Sequence, residues 1–400
     1  MDSAFGKKSK KKMKNNISLI KFLKISIVLI FFISCNSKKQ NNEINNLNSK
    51  KIIYSAKVFP QFAKGFKIDY FDNYKLIRIY NPRDTTRIIN EYILSDKDAF
   101  IPDSLKGKRI FIPLNSFACL HSTQIGYANR LEVLDAICGI SEAQYIKNKY
   151  IHEKVSDGEI IEFGSPQNIN HEKLLSINPD ILLLAPHPGN SFEKLEEIGI
   201  NLVYNTSFLE TTPLARAEWI KFLSCFFNKE DYANQVFDSI VTKYQKLKEL
   251  SKNIKDQPDI FTSKKYGQIW YLPGGESYMA KFFEDAGINY LWRNEKTYEA
   301  LALDFETVYE KAASAEFWCI KDYYDGNYSY TQLAAEFEPY SDFKAFKDTN
   351  IIFCNTFKTS YFEDGIMEPE IVLADLIKAI NPEQLPNHKS KYFKRLLKWK

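Results

Sequence analysis

Cysteine and histidine are scarce in this chain: its 400 residues hold six cysteines and five histidines. Beyond Cys35 the cysteines are Cys119, Cys138, Cys225, Cys319 and Cys354. Their number is odd and no CxxC pair or regular spacing links them, so neither a disulfide framework nor a zinc site is expected. Cys319 and Cys354 lie in the apolar runs Phe-Trp-Cys-Ile and Ile-Ile-Phe-Cys, where a cysteine acts as a small buried hydrophobe. The scattered histidines argue against a dedicated multi-histidine metal site. Long apolar runs are lacking too. Ile25–Ser34 is ten residues, about 15 Å as a helix, or half the hydrocarbon core of a bilayer. Catalytic signatures are absent: GxSxG, HExxH, GxxxxGK[ST] and GxGxxG do not occur. His121 and Ser122 are adjacent and so cannot form a relay, and Pro273-Gly274-Gly275 lacks the Lys-Ser/Thr of a phosphate loop. No enzyme, cofactor or resident metal is expected. No repeat of 20–50 residues is visible.

What is present is a large apolar fraction, 44%, with 15% aromatics, enough to build real cores. The formal net charge of +4 suggests nucleic acid or anionic lipid until its placement is read. Residues 1–34 hold eight lysines against one acid, Asp2. The remainder has 46 basic and 49 acidic residues, a net of −3, and the nucleic-acid reading loses its support. A lysine-rich stretch followed by a short apolar run is the pattern of an export signal. Phe32-Ile33-Ser34-Cys35 is similar to a bacterial lipobox, which makes Cys35 the expected site of lipidation and the membrane attachment a lipid anchor. Met13 would start a signal of ordinary length. The polar stretch from Ser37 to Asn48 reads as a solvated tether.

The rest of the chain alternates strand, loop and helix. Expected strands are Arg109–Phe117, Ile181–Ala185, Asn201–Tyr204, Gly267–Leu272, Glu316–Ile320 and Asn350–Cys354. Expected helices include Thr123–Ile137 and Glu193–Ile198. Two such clusters imply two α/β lobes with parallel sheets. Between them Thr212-Pro213 gives an N-cap with proline at the first helical position, Asn228 marks a break, and Lys229 to about Lys255 keeps a helical apolar spacing. The expected organisation is therefore 1–35 signal peptide and lipobox, 36–50 tether, 51–228 N-terminal lobe, 229–255 interlobe helix and 256–400 C-terminal lobe. A single helical link predicts small, stiff motion. The basic end, Lys389–Lys400, reads as a solvated amphipathic tail that could touch anionic headgroups.

Specific stretches add a resemblance. They are Leu120-His121-Ser122-Thr123-Gln124-Ile125-Gly126 with Leu131–Ile140, Gly164-Ser165-Pro166 with Asn170–Leu175 and Asn178-Pro179-Asp180, and Trp270–Tyr278 with Asp285-Ala286-Gly287. Phe362–Gly365, Glu368-Pro369-Glu370, Leu373–Leu376 and Asn381-Pro382 complete the series. Together these resemble the helical-backbone, class III periplasmic substrate-binding proteins of ABC importers for iron-siderophore complexes and cobalamin. The resemblance runs from about residue 52 to the C-terminus. It implies two Rossmann-like lobes joined by one long rigid helix, a chelate held between them, and a permease and ATPase as partners. The implied location is the cell envelope, as an exported lipoprotein facing the periplasm or displayed on the surface.

In open parallel sheets ligands lie beyond the carboxyl ends of the strands. The post-strand loops then supply the expected ligand contacts: His121, Ser122, Thr123, Gln124, Pro186 and His187 from the first lobe, and Tyr271, Pro273, Gly274, Tyr323 and Phe357 from the second. Asn170-His171-Glu172 and Asp304-Phe305-Glu306 share a further pattern, a capping Asn or Asp followed two residues on by Glu. The resemblance implies that Glu172 and Glu306 dock onto permease arginines, one on each half. Other readings are a cobalamin carrier, a surface lipoprotein that captures a ligand without an importer, and an envelope enzyme on the same fold.

Overall fold

The computed structural model describes residues 54, 56–186, 192–252 and 256–397. The expected signal, tether and Cys35 lie outside these, as does His187.

The described chain opens on an antiparallel meander. Strands β1 (Phe66–Tyr70), β2 (Tyr74–Asn81) and β3 (Asp84–Ser95) pair in turn, and β4 (Lys108–Phe111) adds parallel to β3. Phe66 and Ile68 alternate with the exposed Lys67, the period-two pattern of a half-buried strand. Two buried carboxylates hold the segment before it. Glu218 accepts the N–H groups of Gln61, Phe62 and Ala63, and Glu210 those of Lys64 and Gly65. The stretch expected as one strand, Arg109–Phe117, is two in different sheets. Pro113 cannot donate to a ladder, and the Asp180 carboxylate takes the N–H groups of Asn115 (2.7 Å) and Ser116 (3.1 Å).

The first parallel sheet contains β5 (Phe117–Cys119), β6 (Ile137–Ile140) and β7 (Ile161–Glu162). After a small hairpin of β8 (Gly164–Ser165) and β9 (Asn168–Ile169), β10 (Ile181–Leu184) and β11 (Leu202–Tyr204) complete it. Its order is β11-β10-β5-β6-β7 and every pair is parallel. The helix after β5 is Ser122–Arg130, shorter than the expected Thr123–Ile137. The Lys229 ammonium donates to the carbonyls of Leu131 (3.1 Å) and Glu132 (2.8 Å), and Glu132 turns left-handed, so the helix ends there.

The second lobe holds β12 (Asp259–Thr262), β13 (Lys265–Tyr266), β14 (Ile269–Pro273), β15 (Asn289–Tyr290), β16 (Ala300–Leu303), β17 (Phe317–Asp322), β18 (Ile351–Asn355) and β19 (Lys394–Arg395). Its five-stranded sheet runs β15-β12-β17-β18-β19, parallel except for β19. The Gly267–Leu272 segment is not part of it. As β14 it lies in an antiparallel sheet between β13 and β16. The core stacks Phe261, Trp318 and Phe343, with Trp270 and Tyr340 edge-on. The basic tail is built in rather than solvated as far as Leu396. Asp375 accepts from Tyr392 and Phe393, whose rings are buried, and Lys394–Arg395 pairs with β18.

The long helix is Glu230–Ser251. Its inner face is Ala233, Phe237, Ile240 and Tyr244, and Asn228 before it is left-handed, the break the sequence suggests. Each end is tied to one lobe. Buried Lys75 of β2 pairs with Glu230, while Lys248 (2.8 Å) and the Tyr244 hydroxyl (2.9 Å) reach buried Asp285. Removing one partner of such a buried pair strands a charge, at a cost of about 3–5 kcal/mol.

Candidate functional site

Both parallel sheets end at a shared cleft of ≈ 760 Å³. From the first lobe it is lined by Leu120, His121, Ser122 and Thr123 after β5, Ser141, Glu142 and Tyr145 after β6, Ala185 after β10, and Phe208. From the second come Tyr323 after β17, Thr356 after β18, and Phe362. The loops are pinned locally. The Ser141 hydroxyl donates to the Leu120 carbonyl (2.6 Å), and the Asn355 carboxamide bridges the Tyr324 carbonyl (2.9 Å) and the Phe357 N–H (3.0 Å). Tyr145, Tyr323 and Phe362 leave 48%, 48% and 51% of their surface uncovered, so the cleft offers apolar area that a bulky ligand would cover.

A smaller hollow of ≈ 300 Å³ also takes residues from both lobes. Arg83, Glu210 and Arg216 meet Tyr271, Pro273, Ser277, Tyr278 and Tyr298 there. A hydrogen bond links the linings of the two: an Arg216 Nη donates to the carbonyl of Phe208 at 2.6 Å.

The expected contacts therefore divide. His121, Ser122, Thr123 and Tyr323 line the larger cleft, and Phe357 packs edge-on against Tyr323 (5.2 Å). Tyr271 and Pro273 line the smaller hollow instead. Two expected residues serve the backbone. Gln124 is buried, its Oε1 accepting from the N–H groups of Leu120 (2.9 Å) and His121 (3.1 Å), one half of a capping box. Gly274 sits so close to Thr297 that a Cβ would fall 2.3 Å from its carbonyl oxygen. Pro186 follows Ala185 without lining either hollow.

Missed by pattern were the cations, except that Lys321 directly follows the expected strand Glu316–Ile320. Lys147 stands 4.6 Å over Phe357 and 5.9 Å over Tyr323, Arg216 3.9 Å over Tyr278, Arg83 5.2 Å over Tyr298, and Lys321 4.9 Å over Tyr361 and 5.1 Å over Phe362. None lies in a recognisable motif. Burial pulls the Arg216 and Lys321 pKa values down, and repulsion adds to it, from Arg83 on Arg216 and from Arg216 on Lys321. Backbone contacts also join the lobes. The Lys147 N–H donates to Glu363 Oε2 at 2.7 Å, and Gly126 lies against the Glu363 carbonyl, where a Cβ would come within 1.9 Å. Burial pushes the Glu363 carboxyl up to about 7, against the pull of that N–H.

On the outer surface Asn170 caps the His171–Ile177 helix through the Lys173 N–H (3.0 Å), and Asp304 caps Phe305–Ala312 through that of Thr307 (2.7 Å). Glu172 and Glu306 are exposed in the two first turns, and each helix leads to a core strand, β10 and β17. Among the described residues no group of three or more His, Cys, Asp or Glu side chains could hold a metal ion, and no helix is long and apolar enough to cross a membrane.

The family model described as "Periplasmic binding protein" matches residues 117–356, from β5 through β18. The chain belongs to that family. It is 28% identical to an uncharacterized lipoprotein of Methanocaldococcus jannaschii over 412 residues, covering 93% of this chain and 96% of that one. A solved Fe3+-hydroxamate transport system protein of Saccharomonospora viridis is 16% identical with a TM-score of 0.55, over 67% of this chain and 94% of that one. A periplasmic heme binding protein of Pseudomonas aeruginosa is 12% identical with a TM-score of 0.56, over 72% and 100%. With its parallel lobes on one long helix, this periplasmic binding protein has the class III fold. The family consists of solute-binding proteins rather than enzymes.

Proposed function

We propose that this periplasmic binding protein is the lipid-anchored substrate-binding component of an ABC importer and captures an iron-siderophore or similar metal-chelate complex between its lobes. The observation that carries the reading is the ≈ 760 Å³ cleft at the carboxyl ends of both sheets, with uncovered aromatic rings from each lobe. That volume suits a bulky ligand of mixed polarity. Similarity to proteins named for hydroxamate-iron and heme transport supports a chelate as cargo. The lipoprotein name of the archaeal relative supports lipidation at Cys35 and an envelope location.

Exposed Glu172 and Glu306, one per lobe, are the proposed contacts to permease arginines, since carboxylate–guanidinium pairs set register and association rate. The helical link, anchored by Lys75–Glu230 and Lys248–Asp285, supports small closure on binding. Calorimetric titration with ferric hydroxamates, ferric catecholates, haem and cobalamin tests the cargo. Micromolar or tighter binding of one class is expected, and failure of all four would refute the reading. Reversing Glu172 and Glu306 to lysine should abolish uptake and leave binding intact; unchanged uptake would remove the docking role.

A further inference from the structure

Four cations face or flank the two hollows, and they are partnered unequally. Arg83 pairs with Glu299 at the rim, but its Nε is buried without a hydrogen-bond partner. Arg216 spends two nitrogens on backbone carbonyls, those of Glu210 (3.0 Å) and Phe208 (2.6 Å). Among the described residues no carboxylate pairs with Arg216 or with Lys321. Lys321 is open to solvent by surface area yet closely ringed by protein, the situation of a group on the wall of a deep cleft. Two acids line the hollows. Glu210 Oε1 already accepts from Lys64, Gly65 and Trp219, and Glu142 lies in the larger space.

A charge drawn out of water costs several kcal/mol unless a counter-charge meets it. The rings below these cations return only about 0.5–2 kcal/mol each. Burial is the chief reason that the Arg216 and Lys321 pKa values are lowered, with a smaller part from the neighbouring guanidinium in each case. The hollow beside them, ≈ 300 Å³, has room for an arm of a ligand whose body occupies the larger space. Guanidinium groups meet carboxylate geometry in two parallel hydrogen bonds.

We propose that the Arg83–Arg216 hollow, with Lys321 beside it, binds an anionic arm of the cargo, so that this protein selects negatively charged metal chelates over neutral ones. The inference rests on the metal-chelate reading above and names the class of chelate.

The test is calorimetry on the full chain in detergent with two iron complexes of similar size, an anionic ferric tricatecholate and a neutral ferric trihydroxamate. The wild-type protein is expected to bind the anionic complex at least about tenfold more tightly, with affinity that falls as salt rises. Arg216→Gln and Lys321→Met should each weaken the anionic complex about tenfold or more beyond any effect on the neutral one. Lys321→Met guards against misfolding, because Lys321 makes no side-chain hydrogen bond that the fold depends on, and thermal melting checks both variants. Tighter binding of the neutral complex, or anionic affinity unchanged in both variants, overturns this inference and leaves the chelate reading standing. If neither complex binds, and haem and cobalamin fail as well, the chelate reading falls and this inference with it.

Discussion

The wall that the N-terminal lobe brings to the cleft carries most of the cations, Lys147, Arg83 and Arg216, beside the hydroxyls Ser122, Thr123 and Ser141 and the rings Tyr145 and Phe208. The wall from the C-terminal lobe carries more rings, among them Tyr278, Tyr298, Tyr323 and Phe362, and one cation, Lys321. Where the walls meet they satisfy each other: Lys147 over Phe357, Arg216 over Tyr278, Arg83 over Tyr298. The lobes thus meet through the same kinds of group that line the two hollows. On the proposed function, closure and binding would draw on one set of residues, and a change in either wall should move both.

The largest break in this arrangement should come from Gly126→Ala. The added methyl meets backbone of the opposite lobe and cannot be relieved by a rotamer, so the walls must part. A loss of about 3 kcal/mol in chemical denaturation is expected, with weakened ligand binding; unchanged stability would mean that the lobes do not touch there in solution.

Next is Glu363, the carboxyl buried between the walls. Its pKa is raised in the folded protein to about 7, so the fold holds a proton that the unfolded chain releases nearer the ordinary value of 4.5. This contribution is complete below the unfolded value and is lost as pH rises through about 7. Stability should therefore fall between pH 5 and 8 by on the order of 2 kcal/mol. Denaturation at the two pH values checks this, and Glu363→Gln should flatten the slope.

Tyr323→Ala removes the ring that Tyr145, Phe357 and Lys147 approach, at 5.6, 5.2 and 5.9 Å. Because Tyr323 is half exposed, the fold should hold while cargo affinity drops about tenfold, the equivalent of 1.4 kcal/mol. Equal affinity would move the binding surface away from the C-terminal wall.

The smallest effect sharpens the lobe comparison at its outer surface. Asn170→Ala should cost about 1 kcal/mol, with no pH dependence of its own. Asp304 performs the matching task with a charge. Its pKa is lowered by the Thr307 hydroxyl and N–H, so its cap is in place at neutral pH and fades as pH falls through the acid range. Melting curves of Asp304→Asn and wild type should converge in acid; parallel curves would deny the charged cap.

Much of the framework is legible in the amino-acid order. Ile181–Leu184 and Ile351–Cys354 are unbroken apolar runs, and both are core parallel strands. Thr212, Asn170 and Asp304 cap helices as their spacing indicates. His121, Ser122, Thr123 and Tyr323 follow strand ends, and they do line the cleft. The fold departs from expectation at the strand over Arg109–Phe117, the long first helix, the solvated tail, and the cleft places of Gln124 and Gly274. Each was decided by a distant partner or by backbone: Asp180, Lys229, Asp375, the Leu120 and His121 N–H groups, and Thr297.

Apolar period, caps and breaks act within a few residues, so the primary structure alone carried two parallel-sheet lobes, one long helix and the loops that face each other. Which loops share a hollow followed from contacts across the whole chain. Glu218 captures backbone 155 residues away at Ala63, and Lys147 meets Glu363 across 216. Lys321 directly follows the expected strand Glu316–Ile320, while Arg83, Lys147 and Arg216 show no pattern along the chain. They gather at the cleft because the folded backbone brings them there, and the energy of a charge depends on what surrounds it in space rather than on its neighbours in sequence.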